Sequence, residues 1–131
     1  MKQFLRFCVV GAAGFLVDAG ILQVLVAGAH ANPYVARIAS FLAAASTTWF
    51  MNRRFTFEVR HKPTRAEWLR YLGFMVLGAT VNYAAFAFCI AFWTLADAQP
   101  WLGVAVGSVA GLGVNFASSG LLFRQSERDN G

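Results

Sequence analysis

The chain has 131 residues, of which 58% are hydrophobic and 13% are charged, and its formal net charge is +5. This length corresponds to about one domain, and so few charged residues exclude an ordinary water-soluble globular protein. The charges are clustered and leave apolar stretches long enough to cross a hydrocarbon core of roughly 30 Å, which takes about 20 helical residues. The sequence therefore predicts an all-α integral membrane protein with four transmembrane helices.

The first two predicted helices form a hairpin and carry one charge each. They cover residues 7–29, with the acid Asp18, and residues 33–51, with the base Arg37. A charge near the middle of a bilayer is costly and needs either a partner or a wet cavity. We therefore expect Asp18 to face Arg37 or a polar lumen. The alternative is an ion pair that only locks the hairpin and has no part in function.

A basic loop, residues 52–70, follows the second helix. Planar guanidinium groups bind phosphate bidentately, so Arg53 and Arg54 are candidates for capturing a phosphate-bearing headgroup at the membrane surface. The alternative is that these cations only hold the loop on the cytoplasmic side, which every membrane protein of this topology requires.

The last two predicted helices cover residues 71–96 and 101–123 and contain no Asp, Glu, Lys or Arg. Asn82 and Asn115 are the polar side chains expected to share a lumen with Asp18. The fourth helix also carries glycines along one face, which allow a neighbouring helix to approach closely. The small volume that four thin helices enclose favours packing against a second copy, as a homodimer, over packing within the chain. This glycine ridge consists of Gly103, Gly107 and Gly111.

Ten of the eleven basic residues fall on one side of the membrane in the predicted four-helix topology. Because Lys and Arg near the ends of membrane helices are retained in the cytoplasm, both termini and the basic loop are predicted to be cytoplasmic. The positive charge then reflects topology and contact with anionic membrane lipid, and no nucleic-acid motif accompanies it. The ten residues are Lys2, Arg6, Arg53, Arg54, Arg60, Lys62, Arg65, Arg70, Arg124 and Arg128.

The two halves of the chain match when the sequence is compared with itself. Each half is a helical hairpin that starts in the cytoplasm, so the repeats are parallel and are expected to be related by a pseudo-twofold axis along the membrane normal. The matched positions are Arg6-Phe7 with Arg70-Tyr71, Gly14 with Gly78, Asp18 with Asn82, and Pro33-Tyr34 with Pro100-Trp101.

Catalytic and metal-binding patterns are missing from the sequence. It has no nucleophile–base pair, phosphate-binding glycine loop or paired acids of the kind that enzyme sites use. Neither the two cysteines nor the two histidines have the spacing of a metal site or a disulfide framework. We therefore predict that the chain is not an enzyme and that it needs no metal and no cofactor.

The chain resembles the GtrA-like family of small membrane proteins over about residues 4–124. The string from Asn52 to Phe57 is the most specific part of the resemblance, since it is similar to the Asn-Arg-Arg-aromatic-Thr-Phe pattern of that family. The second half departs from the family at Ser118-Ser119-Gly120, where another Arg is expected. The other matching residues are Arg6-Phe7, Val10-Gly11, Gly14, Asp18, Arg70-Tyr71, Asn82 and Asn115-Phe116.

The resemblance implies a multi-pass protein of the inner membrane that acts in cell-surface polysaccharide synthesis. It implies that the chain translocates a polyprenyl-phosphate-linked sugar, which would be its substrate. Two alternatives remain open: a non-transporting anchor or scaffold for a partner glycosyltransferase, and a small drug exporter, which the uneven charge of the loops disfavours. The residues expected to contact the headgroup or line the lumen are Asp18, Arg37, Arg53, Arg54, Asn82 and Asn115.

Overall fold

The computed structural model describes residues 1–130, which contain helices and no strand. A π-helical turn, Val24–Gly28, ends the first helix, and a second one, Asn52–Thr56, ends the second helix. The helices are α1 (Lys2–Gln23), α2 (Pro33–Met51), α3 (Arg65–Phe92), α4 (Thr94–Ala98) and α5 (Pro100–Asn130). We call α1 with α2 the first hairpin and α3 to α5 the second hairpin.

The start of α2 is fixed by local chemistry. The side-chain oxygen of Asn32 accepts hydrogen bonds from the backbone N–H groups of Tyr34, at 2.9 Å, and Val35, at 3.5 Å. Pro33 occupies the first turn, where its missing N–H costs nothing. The bounds predicted for the second helix, residues 33–51, are therefore those of α2.

The bounds predicted for the other three helices need correction. The first helix begins at Lys2 instead of residue 7, and its π-helical turn ends at Gly28. α3 begins at Arg65 instead of residue 71, because the Thr64 hydroxyl accepts a hydrogen bond from the Glu67 N–H at 3.1 Å and caps the helix. α3 also ends at Phe92 instead of residue 96, since Trp93 adopts an extended conformation. α5 continues past residue 123 to Asn130, because most of the polar residues beyond the apolar stretch, namely Arg124, Gln125, Glu127 and Arg128, are good helix formers.

Three helical segments are long and apolar enough to cross a membrane by their length and composition. They are Lys2–Gly28, Arg65–Phe92 and Pro100–Asn130, with mean hydropathies of 2.0, 1.8 and 1.4. Large apolar side chains such as Phe15, Phe88 and Val109 are exposed on these helices. A water-soluble protein would bury such side chains, so these surfaces are suited to contact with lipid.

The two hairpins meet at one end of the molecule, which carries the loop between α2 and α3 and which we call the loop end. Rings from both hairpins pack there, with centroid separations of 5.3 Å for Phe7–Phe116 and 5.0 Å for Phe57–Phe123. The Tyr71 ring is fully buried against Phe123 at 6.0 Å. Within residues 1–130, the hydrogen bonds and aromatic contacts that join the second hairpin to the first hairpin or to the loop all lie in this region.

The glycine ridge of α5 packs against α3 of the same chain. A Cβ atom added to Gly107 would lie 2.5 Å from the backbone oxygen of Asn82, and one added to Gly111 would lie 2.9 Å from the backbone oxygen of Gly78. Gly103 is covered by the ring of Phe86. The ridge that we expected to favour a homodimer is therefore filled within the chain and is not free to hold a second copy.

The two hairpins use a similar contact between their helices. In the first, the Thr48 side chain of α2 lies over Gly14 of α1 and occupies the space that a Cβ atom would take. In the second, the Asn115 side chain of α5 lies over Gly78 of α3 in the same way. In both cases a glycine of the first helix makes room for a polar side chain of the second, which brings the two backbones close together.

Candidate functional site

Asp18 and Arg37 form an ion pair between α1 and α2. Nη1 of Arg37 lies 2.6 Å from Oδ1 and 2.5 Å from Oδ2 of Asp18. The Arg37 side chain is 56% exposed and the Asp18 side chain 19%. Within residues 1–130 the guanidinium donates no other hydrogen bond, so its remaining N–H groups are available to an anion.

Asn82 and Asn115 lie elsewhere, in the interface between α3 and α5. Asn82 packs against the glycine ridge, and Asn115 covers Gly78. In the described part of the chain, no hydrogen bond joins either amide to Asp18 or Arg37. The structure thus brings together the acid and the base that we paired from the sequence, but it does not bring the two amides into contact with them.

A buried polar network surrounds Glu67 at the loop end. Its Oε1 accepts a hydrogen bond from the Trp49 indole at 3.0 Å and lies 3.4 Å from Nη1 of Arg53. Its Oε2 accepts a hydrogen bond from the Ser126 hydroxyl at 2.6 Å and lies 3.2 Å from Nε2 of His61. The Glu67 side chain is 1% exposed and the Arg53 side chain 6%, so this ion pair is screened from solvent.

The two arginines that we paired as headgroup candidates have different surroundings. Arg53 is buried, and besides its contact with Glu67 it donates a hydrogen bond to the backbone oxygen of His61. Arg54 is exposed, and its side chain makes no hydrogen bond or ion pair within residues 1–130. Arg53 therefore ties α2 to the loop and to α3, while Arg54 is the one of the two that is accessible to a ligand.

The other polar residues near the end of α2 belong to a second buried hydrogen-bond network. The Asn52 amide donates a hydrogen bond to the Tyr71 hydroxyl at 3.0 Å, and this hydroxyl donates one to Thr48 at 3.1 Å. The Thr56 hydroxyl completes the network with a 2.8 Å hydrogen bond to the Asn52 side-chain oxygen. Asn52 and Tyr71 are almost fully buried, so the most specific string in the sequence serves largely to join the hairpins.

Sequence reasoning missed Glu67, His61 and Ser126 as members of the loop-end network. One local signal was present, because Thr64 and Glu67 have the spacing of a helix capping box. That signal would have placed Glu67 in the first turn of a helix. It does not reveal the charge partner, since Glu67 and Ser126 meet only when the second hairpin closes.

Comparison with known proteins assigns the chain to a family. The model of the family described as GtrA/DPMS, transmembrane domain, matches residues 6–123. The prophage bactoprenol-linked glucose translocase homolog of Escherichia coli (strain K12) is 34% identical over 86 residues, which are 65% of this chain and 70% of that protein. The bactoprenol-linked glucose translocase of Shigella phage SfX is 33% identical over the same shares, and that of Salmonella phage P22 is 30% identical. The chain belongs to the GtrA/DPMS transmembrane domain family.

Proposed function

We propose that this chain moves a polyprenyl-phosphate-linked sugar from one leaflet of the membrane to the other, for the synthesis of a cell-surface polysaccharide. The names of the relatives and the family membership support this assignment. The structural observation that carries the proposal is the Asp18–Arg37 pair, in which a partly exposed guanidinium lies against the apolar helix α1. The proposed step makes and breaks no covalent bond, so the chain acts as a translocase and not as an enzyme.

We place all four long helices across the inner membrane of a bacterium. α2 has 19 residues, which at 1.5 Å per residue give a length of about 28 Å. It packs along α1 and returns the chain to the loop end, so it runs through the same thickness of membrane. The cations at the loop end support a cytoplasmic position for the loop and for both termini. The matching contacts of Gly14 and Gly78 support two parallel repeats.

In the proposed mechanism, the phosphate of the substrate competes with Asp18 for Arg37. A phosphodiester and a carboxylate both bind a guanidinium through two oxygens, so one can replace the other. The polyprenyl tail stays in lipid, next to the exposed apolar side chains of the helices. When the phosphate leaves, Asp18 pairs with Arg37 again, which avoids an isolated charge in the membrane.

We expect Arg37→Gln to lower the rate of translocation by about tenfold or more, which corresponds to the loss of a single charge-assisted contact to phosphate. The assay uses purified protein in liposomes that carry polyprenyl-phosphate glucose on one leaflet. A membrane-impermeant probe then measures how fast the sugar reaches the other leaflet. The substitution leaves Asp18 unpaired, so folding is checked for each variant by thermal melting.

The double variant Asp18→Asn/Arg37→Gln distinguishes a functional pair from a structural one. It leaves no unpaired charge, so stability is expected to recover while translocation stays low. Recovery of translocation in the double variant would contradict the mechanism and assign the pair to the locking of the hairpin. Arg6→Gln/Glu58→Gln is the matched control, because it removes an exposed pair at the loop end, with an N–O distance of 2.7 Å.

A wild-type protein that is folded and correctly oriented but moves no sugar would contradict the translocase assignment. The scaffold function would then be tested by co-expression with a glycosyltransferase. In that case the enzyme, which is the proposed partner, should lose stability or membrane localisation when this chain is absent.

A further inference from the structure

A cavity of about 490 Å³ lies at the loop end, between the last turn of α2 and the loop. Its wall includes the exposed cations Arg54, Arg60 and Lys62, together with Phe50. In the described part of the chain these three cationic side chains make no hydrogen bond or ion pair. Three cations that form no ion pair in residues 1–130 therefore face one small volume.

The charge of its wall distinguishes this cavity from the one at the end of α5. No Asp or Glu belongs to its wall in residues 1–130. The cavity of about 340 Å³ at the end of α5 has Arg124 and Arg128 in its wall, but Glu127 lies between them. The wall of the first cavity thus carries cations and no acid, which favours binding of phosphate, whereas in the second an acid offsets part of the charge.

The loop that carries Arg60 and Lys62 is held in place from both sides. On one side, the Glu127 carboxylate accepts hydrogen bonds from the backbone N–H groups of Arg60, at 2.5 Å, and His61, at 3.4 Å. On the other, the buried Arg53 donates to the backbone oxygen of His61. The backbone that carries Arg60 and Lys62 is therefore held in place before a ligand arrives, which lowers the entropic cost of binding.

The remaining wall is suited to an apolar chain. Phe50, on the last turn of α2, is 56% exposed at the edge of the cavity. An aromatic side chain at the end of a membrane helix lies near the boundary between headgroups and hydrocarbon. A ligand that combines a phosphate with a long hydrocarbon tail fits this arrangement better than a free phosphate ion, which has no apolar group to contact Phe50.

We propose that this cavity holds the phosphate of the polyprenyl-phosphate-linked sugar at the cytoplasmic membrane surface before translocation, through Arg54, Arg60 and Lys62. This inference rests on the proposed function and names its loading site. Phe50 contacts the first isoprene units and orients the tail towards the bilayer. Arg53 also belongs to the wall, but it acts as a positioning residue, because its buried guanidinium is engaged by Glu67 and by the backbone oxygen of His61.

The test is a binding measurement that does not depend on translocation. Wild-type protein in nanodiscs is titrated with polyprenyl-phosphate glucose, with inorganic phosphate and with polyprenol. We expect Arg54→Gln/Arg60→Gln to weaken binding of the first ligand by about tenfold or more, and Arg124→Gln/Arg128→Gln to change it by less than about twofold. Polyprenol and inorganic phosphate should bind weakly to all three proteins.

Each outcome of this test decides the proposal. Equal losses in the two double variants would show that the cations only attract anionic lipid, and undiminished binding by Arg54→Gln/Arg60→Gln would place the phosphate elsewhere. Either result overturns the loading site. If the Gln variant misfolds, Arg54→Lys/Arg60→Lys retains the charge, and its binding should still be weaker than wild type because Lys cannot bind phosphate bidentately.

The rate of translocation distinguishes a failure of the loading site from a failure of the translocase assignment. In the liposome assay, loss of the loading site should lower the rate at limiting substrate but largely preserve the rate at saturation. A wild-type protein that binds the substrate but does not move it would contradict the translocase assignment and keep the site. A protein that moves the substrate and binds it equally well without Arg54 and Arg60 would contradict the site alone.

Discussion

Replacement of Glu67 by Ala is expected to lower the free energy of unfolding by about 3–5 kcal/mol, because it leaves a buried guanidinium without a counter-charge. Arg53 is 6% exposed and would lose its carboxylate partner. Trp49 and Ser126 would lose their hydrogen bonds to Glu67 as well. Thermal or denaturant unfolding in detergent micelles, followed by tryptophan fluorescence, measures the change, since the Trp49 indole contacts Glu67 directly.

Glu58→Ala is the matched control for this prediction. Glu58 also pairs with an arginine, at 2.7 Å from Arg6, but the two side chains are 69% and 52% exposed. An exposed pair contributes only about 0–1 kcal/mol, so this variant should melt close to wild type. Equal losses for the two alanine variants would mean that the buried network does not hold the hairpins together. The double variant Arg53→Met/Glu67→Leu should recover much of the stability, because no unpaired charge remains.

Gly107→Ala is expected to destabilise the second hairpin by about 1–3 kcal/mol, the usual cost of overpacking a close contact. The new methyl group would lie 2.5 Å from the backbone oxygen of Asn82, and a backbone atom cannot rotate away as a side chain can. α5 must therefore shift away from α3. The same unfolding measurement reports the loss, and cross-linking reports the oligomeric state in parallel.

Gly113→Ala is the control on the same helix. Nothing lies within 4 Å of its Cβ position, so stability should be unchanged or higher by about 0.5–1 kcal/mol, as for any helical glycine replaced by alanine. If Gly107→Ala instead abolishes a cross-linked dimer and leaves monomer stability intact, the ridge packs between two copies and not against α3 of the same chain.

Local sequence signals explain which parts of the fold were predictable. The start of α2 follows from Asn32 and Pro33, which act on adjacent residues. The start of α3 was missed because a search for apolar stretches passes over a charged first turn, although Thr64 marks it. The end of α3 depends on the extended conformation of Trp93, for which neither Gly nor Pro gives a signal at that position.

Only part of the candidate site was predictable from the sequence, for the same reason. Asp18 and Arg37 were predictable partners, because a lone acid and a lone base in neighbouring apolar helices each lower the cost of the other. The burial of Arg53 and the exposure of Arg54 were not predictable from the sequence. They depend on the contact between Glu67 and Ser126, which come from distant parts of the chain. In the same way, the sequence reveals the bare face of the glycine ridge but not the helix that fills it.

The confinement of the inter-hairpin contacts to the loop end has a mechanical consequence. The aromatic cluster and the two buried polar networks act as a pivot, while the opposite ends of the hairpins share no hydrogen bond or aromatic contact within residues 1–130. Splaying of those free ends breaks no polar bond and exchanges protein–protein contacts only for protein–lipid contacts. We therefore expect the two hairpins to stay together at the loop end and to move apart more easily at the opposite end.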